Sequence, residues 1–292
     1  MGRVGAEIVI AKNCGFCVGV RRAVELVEKA LTEYAPQPVY SLGMFIHNEL
    51  EIERLKKKGL KVVSAIDELP PGSLLLLSSH GSPPEIVQKC RQRQLKTIDL
   101  MCTYVRRLQE IVKSLADQGF DIVMLGDKSH PEVRAICSLV NKVIVIDKQD
   151  VLNDNLNLNF VKYGIVSQTT QSFWLYKRAI KSLLGSAFPK KEVRVYNTIC
   201  RDVMERQEEA RCLAQDCDVV FVLGGKKSAN TYRLFEIARQ LTQTYQITYL
   251  DEFNPEMIKG KRRVGILSGT STPDWFVEKF IELLNNYKRK GG

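Results

Sequence analysis

No apolar run in this chain of 292 residues approaches the ~20 that a bilayer span requires. The first residues, Met1-Gly-Arg-Val-Gly-Ala6, have no apolar signal core behind them and lead into a short strand-like segment, Glu7 to Ala11, so a cytoplasmic address is expected. Ala6 stands where N-myristoylation requires Ser or Thr. Basic residues interleaved with exposed aromatics, or a known nucleic-acid-binding signature, are also missing, so no nucleic-acid partner is expected despite a formal net charge of +10. Much of that charge reads as solvated helix faces, such as Arg54-Leu-Lys-Lys-Lys58 and Lys259-Gly-Lys-Arg-Arg263. The excess would favour an anionic substrate and an acidic protein partner. Hydrophobic residues at 45% and charged ones at 26% describe an ordinary globular protein rather than a disordered or fibrous one.

Histidine is scarce, with three in the whole chain, whereas cysteine is not, with eight. In a reducing compartment that number points to metal or redox chemistry rather than disulfides. Cys90, Cys137, Cys212 and Cys217 lie within or near the ends of helix-like segments and read as small buried or half-buried hydrophobes. Cys14 and Cys17 form a Cys-x-x-Cys pair, but the single βαβ redox domain that a thioredoxin-type motif needs is not there.

The remaining cysteines are ordered by an internal repeat, which outranks any local motif as a guide to architecture. The spacing from Cys102 to Gly126 equals that from Cys200 to Gly224. In both stretches a helix-like segment, Val105 to Asp117 or Val203 to Gln215, leads into an apolar run ending in glycine. Past that glycine the second copy places His130 and Glu132, and the third places Ser228 and Asn230 at the same offsets. The first copy fits with two extra residues, running from Cys17 through Val39-Tyr-Ser-Leu-Gly43 to His47 and Glu49. Each copy has a second strand ending in a small polar cluster: Ser78-Ser-His-Gly-Ser82, Ser167-Gln-Thr-Thr170 and Ser268-Gly-Thr-Ser-Thr272. Short apolar runs alternating with helices imply parallel sheets covered on both faces.

The expected fold is therefore α/β: a trefoil of three domains related by a pseudo-threefold, with small, mostly parallel sheets around a central cavity. The expected bounds are 1–101, 102–199 and 200–292, with the N-terminal strand, 7–16, able to pack with the third. Asn153 to Asn159 reads as a polar linker, and Pro70-Pro71-Gly72 and Ser82-Pro83-Pro84 as turns.

In such sheets ligands collect at the carboxyl ends of strands. Three cysteines on a threefold axis, Cys17, Cys102 and Cys200, make a metal site. With no fourth ligand at an equivalent position, a cubane cluster would keep one iron open, able to bind a substrate oxygen and deliver electrons; zinc with an open position is the competing assignment. His47, His80 and His130 fall at strand-end loops. With Ser228, Asn230, Ser271, Thr169 and Thr170 they form a donor-rich cavity suited to phosphate oxygens, whether or not the hydroxyls also cap helices. Glu132 would be the proton donor.

Seven segments carry a family resemblance: Gly15-Phe-Cys-Val-Gly19, Ile46-His-Asn48, Ser79-His-Gly81, His130-Pro-Glu-Val133, Ser167-Gln-Thr-Thr170, Ser228-Ala-Asn-Thr231 and Gly269-Thr-Ser-Thr-Pro-Asp274. In this order, over essentially the whole chain, they resemble the hydroxymethylbutenyl diphosphate reductase family, the last step of the methylerythritol phosphate route to isoprenoids. The resemblance implies a trefoil around a 4Fe-4S cluster held by Cys17, Cys102 and Cys200, with one open iron. It implies reductive removal of the allylic hydroxyl of (E)-4-hydroxy-3-methylbut-2-enyl diphosphate, giving isopentenyl and dimethylallyl diphosphate. His47, His80, Ser228, Asn230 and Ser271 would grip the diphosphate, and Thr169, His130 and Glu132 would surround the hydroxyl. The acidic partner becomes an electron donor such as ferredoxin or flavodoxin.

Two runs depart from the family pattern. Cys102 is followed by Thr-Tyr-Val-Arg-Arg rather than by Pro and a later Lys-Val-His, and Cys200 by Arg201, Asp202 and Val203 rather than by Ala-Thr at the second and third positions. These changes spare every expected ligand and alter its surroundings. Alternatives on the same architecture are a divergent paralogue, a cluster-based sensor without a proton donor, and a dehydratase resembling quinolinate synthase, whose carboxylate substrate would call for an Arg-lined cavity.

Overall fold

The computed structural model describes residues 6–153, 156, 161–185 and 192–291. Apart from Asn153 and Leu156, the expected linker lies outside them, as do the first five residues. In chain order the elements are β1 (Glu7–Ile10), α1 (Val18–Glu33), β2 (Val39–Leu42), α2 (Glu49–Lys56), β3 (Leu60–Val63), β4 (Leu74–Leu77), α3 (Pro84–Gln92), β5 (Lys96–Asp99) and α4 (Thr103–Asp117). There follow β6 (Asp121–Leu125), α5 (Pro131–Cys137), β7 (Val143–Ile146), α6 (Lys148–Leu152), β8 (Lys162–Ser167), α7 (Phe173–Gly185) and β9 (Glu192–Val195). The last are α8 (Arg201–Asp216), β10 (Val219–Leu223), α9 (Ala229–Ala238), β11 (Gln243–Ile247), β12 (Arg263–Ser268) and α10 (Asp274–Gly291). None of these helices is long and apolar enough, over the described residues, to cross a membrane.

The chain divides into two compact units. The first comprises Met1–Arg21, His47–Glu53 and Arg201–Gly292; the second comprises Arg22–Ile46 and Arg54–Cys200. The first holds one sheet of order β1-β12-β10-β11, and the second holds two, β3-β2-β4-β5 and β7-β6-β8-β9. Every strand pair is parallel, and all three sheets follow one plan: two central strands between two edges. The N-terminal strand β1 runs along β12, with Glu7 beside Arg263 and Ile10 beside Ile266.

The central strands β4 and β10 are uninterrupted apolar runs, buried throughout, because both faces are covered. In β10, Val219, Phe221 and Leu223 meet Phe276, Phe280 and Leu284 of α10, whereas Val220 and Val222 point the other way, toward Ala210 and Leu213 of α8 and Leu234 of α9. Each such fully buried side chain is worth roughly 1.5–3 kcal/mol. In the second unit Ile122 and Met124 of β6 pack with Leu108, Val112 and Leu115 of α4.

Five strands escape the pattern read from sequence: β3, β5, β7, β9 and β11. All are edges; in four of them polar residues break the apolar run, as in Lys96-Thr-Ile-Asp99, which is largely exposed, and Glu192-Val-Arg-Val195, which alternates charge with valine, whereas Val143-Ile-Val-Ile146 is wholly apolar and too short to stand out. Three smaller expectations also change. Lys259 to Arg263 is a turn entering β12 rather than a helix face, Pro84 opens α3, and Cys137 and Cys212 are exposed while Cys90 and Cys217 are buried.

Candidate active site

Cys17, Cys102 and Cys200 share a local geometry. In each sheet the carbonyl of the second residue past an inner strand accepts the amide hydrogen of one cysteine. Ser79 past β4 holds Cys102 at 3.1 Å, Thr169 past β8 holds Cys200 at 2.9 Å, and Thr270 past β12 holds Cys17 at 3.0 Å. Each cysteine thus sits beyond the carboxyl end of its sheet by a backbone rule indifferent to side chains. All three are half-buried thiols, and the Cys17 sulfur accepts the Val20 amide at 3.4 Å. Cys14 is different: desolvation pushes its thiol pKa up, outweighing the Ser268 hydroxyl and the Arg206 charge that act the other way. It is a neutral thiol at pH 7.

His80, His130, Glu132, Thr169 and Thr170 belong to the second unit. His130 caps α5, its Nδ1 accepting the Glu132 amide at 3.2 Å, so the neutral ring carries its hydrogen on Nε2. Glu132, in the first turn of that helix, is 1% exposed. Its Oε1 accepts the Thr169 amide and its Oε2 the Thr169 hydroxyl, both at 2.7 Å. Burial raises its pKa to about 7, against these two hydrogen bonds, which lower it. A carboxyl in that range can both hold and release a proton near neutrality. The His80 ring lies edge-on to His130, with centroids 5.4 Å apart, and its Nδ1 is 3.1 Å from the Ser78 hydroxyl. Thr170 faces the Gln168 amide nitrogen at 3.0 Å.

His47, Ser228, Asn230 and Ser271 belong to the first unit. The Ser271 hydroxyl donates to the His47 carbonyl at 3.1 Å. Ser228 caps α9 by accepting the Thr231 amide. Asn230, 1% exposed, has neither its amide nitrogen nor its oxygen hydrogen-bonded among the described residues, an arrangement that costs stability unless a ligand completes it. Burial, reinforced by the charge of Lys227, holds His47 below the ordinary imidazole pKa, so its ring is neutral at pH 7. The turn that leads from β10 to Ser228 and Asn230 needs Gly224, whose φ is +137° and where a Cβ would stand 2.6 Å from the Thr272 hydroxyl and 2.8 Å from that of Thr231.

Sequence reasoning named no role for Gln168, Thr231 or Arg206. Gln168 ties two loops together, accepting the Asp127 amide while donating to Thr170. Thr231 has a buried hydroxyl without a partner among the described residues. Both lie inside quoted motifs, so position within the motif was the available signal. Arg206, 2% exposed, is a charged residue in a helix of otherwise ordinary pattern and gave no signal.

The profile of the family described as LytB protein matches residues 8–285. The chain is 40% identical over 278 residues to the 4-hydroxy-3-methylbut-2-enyl diphosphate reductase of Aquifex aeolicus, spanning 94% of each. To the Geobacter sulfurreducens protein of the same name it is 36% identical over 288 residues, 98% of this chain and 100% of that one. Among solved structures, it is similar to an (E)-4-hydroxy-3-methyl-but-2-enyl diphosphate reductase with a TM-score of 0.70 at 38% identity, covering 96% of this chain and 99% of that one. It is also similar to the E-1-hydroxy-2-methyl-but-2-enyl-4-diphosphate reductase of Plasmodium falciparum, with a TM-score of 0.88 at 26% identity, covering 96% of this chain and 88% of the other. Matched by the profile over almost its full length and aligned with these relatives nearly end to end, the chain belongs to the LytB family.

Proposed function

We propose that this chain is the reductase its relatives are named for, removing the allylic hydroxyl of 4-hydroxy-3-methylbut-2-enyl diphosphate with a 4Fe-4S cluster held by Cys17, Cys102 and Cys200. The donor set fits such a group: three half-buried thiols in three equivalent backbone settings, with no fourth at an equivalent position among the described residues. When bound, a cluster with three protein ligands supplies electrons and one open, Lewis-acidic iron. The single observation that carries the reading is Glu132, a buried carboxyl with a pKa of about 7, fastened to Thr169, whose carbonyl holds Cys200.

Glu132 keeps its proton up to neutral pH and gives it to the departing hydroxyl, which would otherwise leave as hydroxide. The Thr169 amide and hydroxyl fix the plane of that carboxyl, and His130, whose Nδ1 accepts the Glu132 amide, would use its remaining Nε2–H on the same hydroxyl. His47, His80, Ser228, Asn230 and Ser271 would bind the diphosphate, and Thr170 is assigned to the substrate with them. Hydrogen bonds to a charged oxygen are worth more than those to a neutral one. The three sheets of one order support the division into repeats 1–101, 102–199 and 200–292, with β1 lent to the third. The positive net charge suits an acidic electron donor of the ferredoxin or flavodoxin kind, and we place the protein in the cytoplasm.

Protein purified without air is expected to be brown, to hold about four irons per chain, and to turn over the hydroxylated diphosphate with a chemical reductant. An intact cluster without turnover would instead favour a sensor. Asn230→Ala should weaken diphosphate binding by roughly 10-fold or more, the worth of a hydrogen bond to a charged group. It should leave thermal stability unchanged or raised, because the amide it removes has no hydrogen bond of its own. His47→Ala should also weaken binding without changing the cluster spectrum. Calorimetric titration with diphosphate and monophosphate substrates checks both variants, and equal affinity of the unmodified protein for the two ligands would count against the assignment.

A further inference from the structure

The loop carrying Cys17 is the longest of its kind. Cys102 lies three residues past the end of β5 and Cys200 five past β9, but Cys17 lies seven past β1. A longer connection has more conformational freedom to lose, and it carries an additional fastening. Arg206 on α8 is almost entirely buried. Its Nη2 donates to the Gly15 carbonyl at 3.0 Å, and its Nη1 to the Ser268 carbonyl at 2.9 Å and hydroxyl oxygen at 3.2 Å. Its Nε donates to Asp202 at 2.6 Å. The Ser268 hydroxyl oxygen also accepts the Gly15 amide at 2.7 Å, so Gly15 is held at both its N–H and its C=O. That residue has φ +89°, and a Cβ there would collide with the Asp274 carboxylate, so the backbone is seated in one place. Two residues later the chain reaches Cys17.

We infer that Arg206 is a positioning residue for Cys17, its planar guanidinium locking the Cys14–Cys17 loop to the end of β12, with Asp202 as the counter-ion that makes the buried charge tolerable. Asp202 is one of the positions at which the run after Cys200 departs from the family pattern, and the ion pair gives that departure a physical use. A buried guanidinium needs such a partner. Lysine could not replace it, because one ammonium cannot reach acceptors on three separated residues at once. The consequence for a bound cluster rests on the proposed role of Cys17, whereas the consequence for the loop does not.

The test uses the full chain with Arg206→Gln, Arg206→Lys and Asp202→Asn. In metal-free, reduced protein, iodoacetamide labelling followed by peptide mass mapping should show faster alkylation at Cys17 in Arg206→Gln, with Cys102 unchanged. In protein reconstituted with iron and sulfide, the same variant should lose iron to a chelator roughly 10–100-fold faster than the unmodified chain, the usual effect of removing a group that orients a metal ligand. Its reduced-cluster electron paramagnetic resonance spectrum should also shift. Arg206→Lys should resemble Arg206→Gln, and Asp202→Asn should move both rates in the same direction by less. Unchanged Cys17 labelling and unchanged iron release in a folded Arg206→Gln protein would overturn the inference. If that variant does not fold, Arg206→Lys and Asp202→Asn decide by the same two rates. If the unmodified chain takes up no iron, the cluster reading fails while the labelling comparison still decides the role of Arg206.

Discussion

Replacing Glu132 by Gln is expected to lower turnover by roughly 100-fold or more, the usual loss when a positioned general acid is removed. The carboxamide keeps the shape of the side chain and one acceptor oxygen for the Thr169 amide, and the Thr169 hydroxyl can rotate to accept from the new NH2 group. The protein should therefore fold and bind substrate, and the loss should fall on turnover. The same carboxyl predicts a pH profile. With a pKa of about 7, Glu132 is protonated below neutrality, so turnover by the unmodified enzyme should fall as the pH rises through about 7. Stability has the same sign. The folded pKa lies above the ordinary 4.5, so the folded chain holds a proton that the unfolded chain has released between these values. That contribution is complete below about pH 4.5 and is lost as the pH rises through about 7, by an amount on the order of 3 kcal/mol. Thermal denaturation of the unmodified protein and of Glu132→Gln at pH 5 and pH 8 isolates it, because a carboxamide does not titrate. Undiminished turnover in Glu132→Gln would remove the residue from the mechanism.

Changing any one of Cys17, Cys102 or Cys200 to Ser should abolish the cluster, whereas Cys14→Ser should leave it in place. A serine hydroxyl is a poor substitute for a thiolate on iron, yet the amide that each residue donates to Ser79, Thr169 or Thr270 is untouched by the change. The three variants should therefore remain folded while losing iron, which separates loss of a ligand from loss of structure. Cys14 already has a structural place against Ser268. Iron and sulfide analysis with the visible spectrum reads the outcome, and cluster loss in Cys14→Ser would overturn the assignment of Cys17 as the ligand of that pair.

What could be read from the amino acids was whatever burial writes into composition. Leu74 to Leu77 and Val219 to Leu223 announce central strands because all their residues are buried. Lys96 to Asp99 does not announce an edge, because an edge strand is held by backbone groups that leave no mark on side-chain pattern. The same division applies to the site. Glu132 and Asn230 were legible as polar residues at repeated offsets, but the depth at which they lie, which raises one pKa and leaves the other side chain unpaired, is a property of packing. Arg206 was illegible because only the fold reveals that its side chain turns inward to the Gly15 carbonyl, and Asp202, read as a departure, found its partner only there.

Thr169 works as a mechanical coupling. Its amide and hydroxyl hold Glu132, and its carbonyl, on the opposite side of the same residue, holds the amide of Cys200. A single residue is thus the rigid link between an acid and a thiol that lie far apart along the chain. Any drift of the Cys200 loop pulls the carboxyl with it, so the spacing between the two is inherited from the dimensions of one amino acid and does not have to be maintained by two independently placed loops.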